Sequence, residues 1–148
     1  MATRAIIAKL DDNGVKAIYN HSDGYLEHAG KILDQHYNTE EKVDELLSYG
    51  DVSIIRENIG VKLDFNDYMA FVKNKQCKFY MRDRGEKNKH ATQLKDEKEL
   101  IEFSNNCDVE FIYMFAYGSW YVYDICDFIE LEEQLYTPCQ YDYDCNIT

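Results

Sequence analysis

Proline is almost missing from this 148-residue chain, which has one, and glycine is sparse at seven. Those counts exclude collagen-like and Pro/Gly-rich low-complexity architectures. No apolar run approaches the roughly 18–20 residues needed to span a bilayer. The N-terminal MATRAIIAKLDDNG has too short an apolar stretch, and no small-residue cleavage site, for a signal peptide. The expected setting is the cytosol, with no membrane partner. No G-x-S-x-G, H-E-x-x-H, Walker or dinucleotide-loop motif occurs, so no catalytic residue and no cofactor is predicted. The five cysteines (Cys77, Cys107, Cys126, Cys139, Cys145) are odd in number and irregularly spaced, and read as free thiols of a reducing compartment.

What is present is the composition of a folded domain. Apolar residues make up 45% and aromatics 14%, with thirteen tyrosines. The length suits one domain, 1–148, able to bury its own core. A mobile acidic tail is expected over 136–148.

Charge is polarised along the chain. Residues 1–72 carry 13 acids against 7 bases, residues 73–95 carry 8 bases against 2 acids, and residues 96–148 carry 13 acids and the single base Lys98. The last third thus holds a charge equal to the protein's net −12.

Residues 2–10 and 15–20 are β-rich runs around Asp11-Asp12-Asn13-Gly14, a strong hairpin signal. Helices are predicted over 25–36 and 39–49, the second with Asn38 as N-cap and Gly50 as its stop. Residues 51–63 read as irregular, and a short helix fits 66–73. Residues 76–82 alternate as a strand, with a mobile polar segment after it to Gln93. A further helix fits 95–103. Strands at 109–117 and 120–126 meet at Gly118-Ser119, the first apolar on both faces and so placed centrally. One more helical turn falls at Glu130–Leu135. The fold class is α+β, with a mainly antiparallel sheet of about five strands (two hairpins plus one strand) and helices packed on one face.

Three groups of residues are candidate sites. Asp124, Asp127, Glu130, Glu132, Glu133, Asp142 and Asp144 would present spaced carboxylates to a protein with a cationic groove. The same charge disfavours direct contact of this region with nucleic acid. Its plainer alternative is a solvated surface. The basic band offers Arg82 and Arg84 beside Tyr80, an edge suited to a nucleotide or small molecule. Alternatively, Lys78 and Arg82 pair across the sheet with acids of the later strands. A third reading makes His21 and Asp23 a catalytic or ligand pair. His28 and His36 lie apart around their helix, no Cys–His pair has zinc spacing, and no metal is predicted. Asp142-Tyr143-Asp144-Cys145-Asn146 opens like a calcium loop but lacks its glycine and distal glutamate.

IYNHSDGY (18–25), Gly30, His36-Tyr37-Asn38, Lys42-Val43, Gly50-Asp51, Tyr80-Met81-Arg82-Asp83-Arg84-Gly85-Glu86 and Trp120-Tyr121-Val122 together resemble a family of small bacteriophage proteins without assigned chemistry. The resemblance spans most of residues 1–123. It implies a counter-defence inhibitor, anti-CRISPR-like and not an enzyme. Its partner would be a host defence protein or complex with a basic groove, engaged in the host cytosol through the acidic surface.

Overall fold

The computed structural model describes residues 2–124 and 127–136. Its strands are β1 (Ala5–Asp11), β2 (Gly14–Asn20), β3 (Val52–Ile54), β4 (Lys78–Phe79), β5 (Thr92–Leu94), β6 (Phe111–Ala116), β7 (Ser119–Asp124) and β8 (Asp127–Glu130). A π-helical turn (Leu26–Gly30) leads into α1 (Lys31–His36), followed by α2 (Glu40–Ser48), α3 (Tyr68–Lys73), α4 (Tyr80–Arg84), α5 (Glu97–Asn106) and α6 (Leu131–Tyr136). The fold is α+β, as the sequence indicates.

The sheet departs from the expected one. It has eight strands in the order β4-β3-β2-β1-β6-β7-β8, with β5 also paired to β2. It is mixed: β1 pairs parallel with β6 (Ile7↔Tyr113) and β2 pairs parallel with β3 (Asn20↔Val52), whereas the two hairpins are antiparallel. The β1–β6 pairing joins segments about a hundred residues apart in the chain, so no local pattern announces it.

Helices cover both faces, not one. On one side Ile7, Ile18 and Phe115 pack with Leu33 of α1, Leu46 of α2 and Leu131 of α6. On the other, Ile6, Val15, Ala17 and Met114 pack under Leu100 of α5. Strand β1 is therefore buried at five successive residues, Ala5–Lys9, as a strand sandwiched between two layers must be. The central placement expected for β6 holds, since it lies between β1 and β7.

Local signals shift by small steps. Ladder register puts the first hairpin loop at Asp12-Asn13, where Asp11 Oδ1 accepts from Asn13 N at 2.8 Å. The second loop is Tyr117-Gly118, with φ of +54° and +79°, the paired positive values of a type I′ turn. Thr39, not Asn38, caps α2 by accepting from Lys42 N at 3.3 Å. Of the 76–82 strand, Lys78–Phe79 forms β4 and Gln76 makes an isolated parallel bridge to Asn58. The chain then coils into α4 because the Asp83 carboxylate reaches back to Phe79 N at 2.8 Å, a capping contact that ends the ladder. β3 falls in the stretch read as irregular, and β5 in the one read as mobile. Among the described residues no helix is long and apolar enough to cross a membrane.

Candidate functional site

Two of the candidate regions acquire geometry, at different parts of the sheet. Strands β1 and β6 run parallel, so the loops Asp12-Asn13 and Tyr117-Gly118 stand at the same end. The antiparallel β7–β8 ladder pairs Tyr121 with Glu130 and returns the chain toward that end. Two hollows of about 250 and 290 Å³ adjoin there, sharing Phe115 and Gly118 as walls. Asp34, Glu130 and Glu132 line one, and Asp11, Asp12 and Glu40 line the other. Lys9 is the single base among the lining residues. Its side chain is 8% exposed and tied to Asp44 at 2.7 Å, Glu40 at 3.0 Å and Asp11 at 3.8 Å. Burial on its own would lower the Lys9 pKa, but the hydrogen bonds it donates to Asp44 and Glu40, with their charges, outweigh it and hold the ammonium above its usual range. Beside these hollows the Tyr117 ring is 88% exposed.

The acidic strip expected over 124–133 is therefore divided. Glu130 and Glu132 enter the acidic end, and Glu133 is exposed on α6. Asp124 and Asp127 are backbone register partners at the far end of the β7–β8 ladder, on the order of 15 Å along the strands from the Tyr117 turn. Asp142 and Asp144 lie outside the described residues, as do Cys126, Cys139, Cys145 and most of the expected tail. Asp11, Asp12, Asp34 and Glu40, acids of the first half of the chain, were missed by counting charge along the sequence. Their convergence depends on the parallel β1–β6 pairing and the packing of α1 and α2.

The basic band also divides. Arg82 is an internal brace. Its side chain is 13% exposed; the guanidinium binds the fully buried Asp83 carboxylate (3.1 and 3.2 Å) and donates to Ile59 O (2.9 Å) and Cys77 O (3.1 Å). It also lies over Phe79, 4.9 Å from the ring centroid. Asp83 accepts in addition from Leu63 N at 3.0 Å. Arg82 is thus engaged within the protein. Among the described residues, Lys78 and Arg82 do not pair with acids of the later strands. Arg84, by contrast, is exposed, with Glu86 at 3.3 Å.

Tyr80 and Arg84 do share a hollow of about 210 Å³, with Tyr19, Asp51, Glu86 and Lys89. Asp51 organises its floor: Oδ1 accepts from Tyr19 N (2.9 Å), its N–H donates to Lys89 O (2.7 Å), and its carbonyl accepts from Tyr80 N (3.3 Å). Burial raises the Asp51 carboxyl above the usual carboxylate range, against the lowering effect of the Tyr19 amide and Lys89. Burial likewise raises the Tyr19 and Tyr80 phenols. The preceding Gly50, at φ +77°, lets the chain pass against Lys89 O where a Cβ would collide.

His21 and Asp23 are not brought together as a pair. His21 Nδ1 bonds Tyr19 OH at 2.8 Å, and no hydrogen bond or ion pair joins His21 to Asp23 among the described residues. His28 Nε2 donates to Ile55 O at 2.9 Å, a structural tie. Among the described residues no group of three or more His, Cys, Asp or Glu side chains is placed to hold a metal. Cys77 is fully buried and burial raises its thiol pKa, so it packs and does not react. Comparison with known proteins matches no protein-family model, no curated protein and no solved structure.

Proposed function

We propose that the protein is a non-enzymatic inhibitor that presents its acidic end to a cationic groove of a nucleic-acid-handling host protein. The observation that carries this reading is the pair of adjoining hollows, with six acids to one buried base, beside an exposed tyrosine. Carboxylates gathered at one end of the sheet meet lysines and arginines of a partner as a group. Charge of one sign opposite its complement speeds association and excludes wrong partners. An exposed tyrosine is the side chain best suited to anchor such a contact, because it brings area with little rotamer loss. The resemblance to small bacteriophage proteins supports the setting: a counter-defence protein of the anti-CRISPR kind, acting in the host cytosol by occupying a surface that otherwise holds nucleic acid.

The test is capture from a bacterial host lysate at low salt, with the wild type beside an Asp12→Asn, Glu130→Gln, Glu132→Gln variant. The reading predicts that the wild type retains nucleic-acid-handling proteins which the variant loses and which added DNA displaces. Equal retention by the two proteins would count against the acidic end. A control with Lys62→Gln and Lys73→Gln, outside the residues lining the acidic end, is expected to behave as wild type.

A further inference from the structure

The cations that Arg82 leaves behind form a second feature, on the β3–β4 side of the sheet. Lys78 Nζ lies 4.1 Å from the centroid of the Phe65 ring, and Arg84 Cζ lies 5.1 Å from the same ring. Arg56 Cζ is 5.9 Å from the centroid of Tyr68. Arg56 is 9% exposed, yet it makes no ion pair among the described residues, and its guanidinium has one protein partner, Gln76 O at 3.3 Å. Its remaining donors reach solvent and are open to an anion, since they are not among the buried unpartnered atoms of the described residues. Lys78 is also without an ion pair among the described residues.

Glu86 stands 3.3 Å from Arg84, and the other neighbouring acids are engaged elsewhere. Asp83 is engaged by Arg82 and two backbone amides. Asp64 accepts from Asn66 N and Asp67 caps α3 through Ala70 N. The Lys78 ammonium is depressed below its usual range, first by burial and next by Arg56. Asp83 opposes the depression and Arg84 adds to it, so Lys78 feels both arginines.

We propose that Arg56, Lys78 and Arg84 form a binding site for the phosphates of a single nucleotide, with the exposed Tyr68 ring as the platform for its base. Three fixed cations suit a diphosphate better than a lone carboxylate, and guanidinium forks match phosphate oxygens in pairs. Tyr68 is 62% exposed, so its ring has area to offer a stacking base. A long polyanion is disfavoured because the rest of the molecule brings the net charge to −12. This site is separate from the acidic end and does not depend on the function proposed there.

Isothermal titration of the full chain with ADP, pyrophosphate, adenosine, sulfate and a short single-stranded DNA tests it. ADP and pyrophosphate are expected to bind saturably, and adenosine and sulfate far more weakly. Lys78→Met keeps the aliphatic stem on Phe65, and the exposed Arg84→Gln leaves the buried network untouched. Each is expected to weaken ADP and pyrophosphate about tenfold, the loss of one charge-assisted contact. Tyr68→Ala should weaken ADP and leave pyrophosphate unchanged. No saturable binding of ADP or pyrophosphate would overturn the proposal. So would affinities unmoved in Arg84→Gln, sulfate binding as tightly as ADP, or single-stranded DNA binding more tightly than ADP.

Discussion

Lys9 Nζ lies 2.7 Å from Asp44 Oδ1, a tie between the middle of the sheet and α2 made by the one base lining the acidic hollows. The lysine is buried while both helix carboxylates, Asp44 and Glu40, remain largely exposed. The arrangement is asymmetric. Removing Lys9 leaves two solvated acids, whereas removing Asp44 leaves a buried ammonium short of a partner. Lys9→Met is accordingly expected to change stability by less than about 1 kcal/mol, and Asp44→Ala to cost about 1–2 kcal/mol. Denaturant melts of the two variants decide the order. The Lys9 pKa is raised in the fold, so this contribution is present at neutral pH and is lost as pH rises above the ordinary lysine value of about 10.4. The Asp44→Ala deficit should shrink there.

Asp83→Ala strands more than one group. Phe79 N, Leu63 N and the Arg82 guanidinium all lose their acceptor in a buried setting. A loss of about 3–5 kcal/mol is expected from breaking a buried pair. Asp83→Asn, which keeps an acceptor oxygen, should cost less. A melting series of the two variants checks this.

Gly50 and Gly85 both adopt φ of +77°, but only Gly50 is hemmed in. A Cβ at Gly50 would strike Lys89 O and approach Met81, while at Gly85 nothing lies within 4 Å. Gly85→Ala is expected to cost about 1 kcal/mol, the ordinary penalty of a left-handed alanine, and Gly50→Ala clearly more. Equal melting temperatures for the two variants would contradict this difference.

Asp51 gives a pH signature. Its carboxyl is raised by burial in the fold, so its charge disfavours the folded state at neutral pH, and that cost is relieved as pH falls through the carboxylate range. Asp51→Asn retains an acceptor for Tyr19 N. It is expected to melt above wild type at neutral pH, with the gap closing on acidification. Thermal melts across acid to neutral pH measure it.

The readable parts of this fold were those in which neighbours in sequence are neighbours in space. Both hairpins follow from Asn13-Gly14 and Gly118-Ser119, although each loop sits one residue earlier, and α2, α3 and α5 follow from apolar spacing. Strands β3 and β5, three residues each, are too short to show a period of two. Residues 76–82 alternate, yet the Asp83 carboxylate caps a helix there, a side-chain contact that hydrophobicity does not encode. The acidic site was half legible: Glu130 and Glu132 stood in the charge-rich last third, but Asp11, Asp12, Asp34 and Glu40 join them only through tertiary pairing. Arg82 and Arg84 look equivalent in sequence, and burial makes one a brace and leaves the other exposed beside Glu86.

The most direct measurement is displacement of a labelled nucleic acid from a captured host protein, followed by anisotropy as this chain is added at low and at high salt. The account predicts competitive release by the wild type, weakened steeply by salt because exposed charges are screened beyond about 10 Å at 0.1 M. It also predicts release reduced about tenfold or more for Asp12→Asn, Glu130→Gln, Glu132→Gln. Release that is indifferent to salt, or undiminished in that variant, would contradict it.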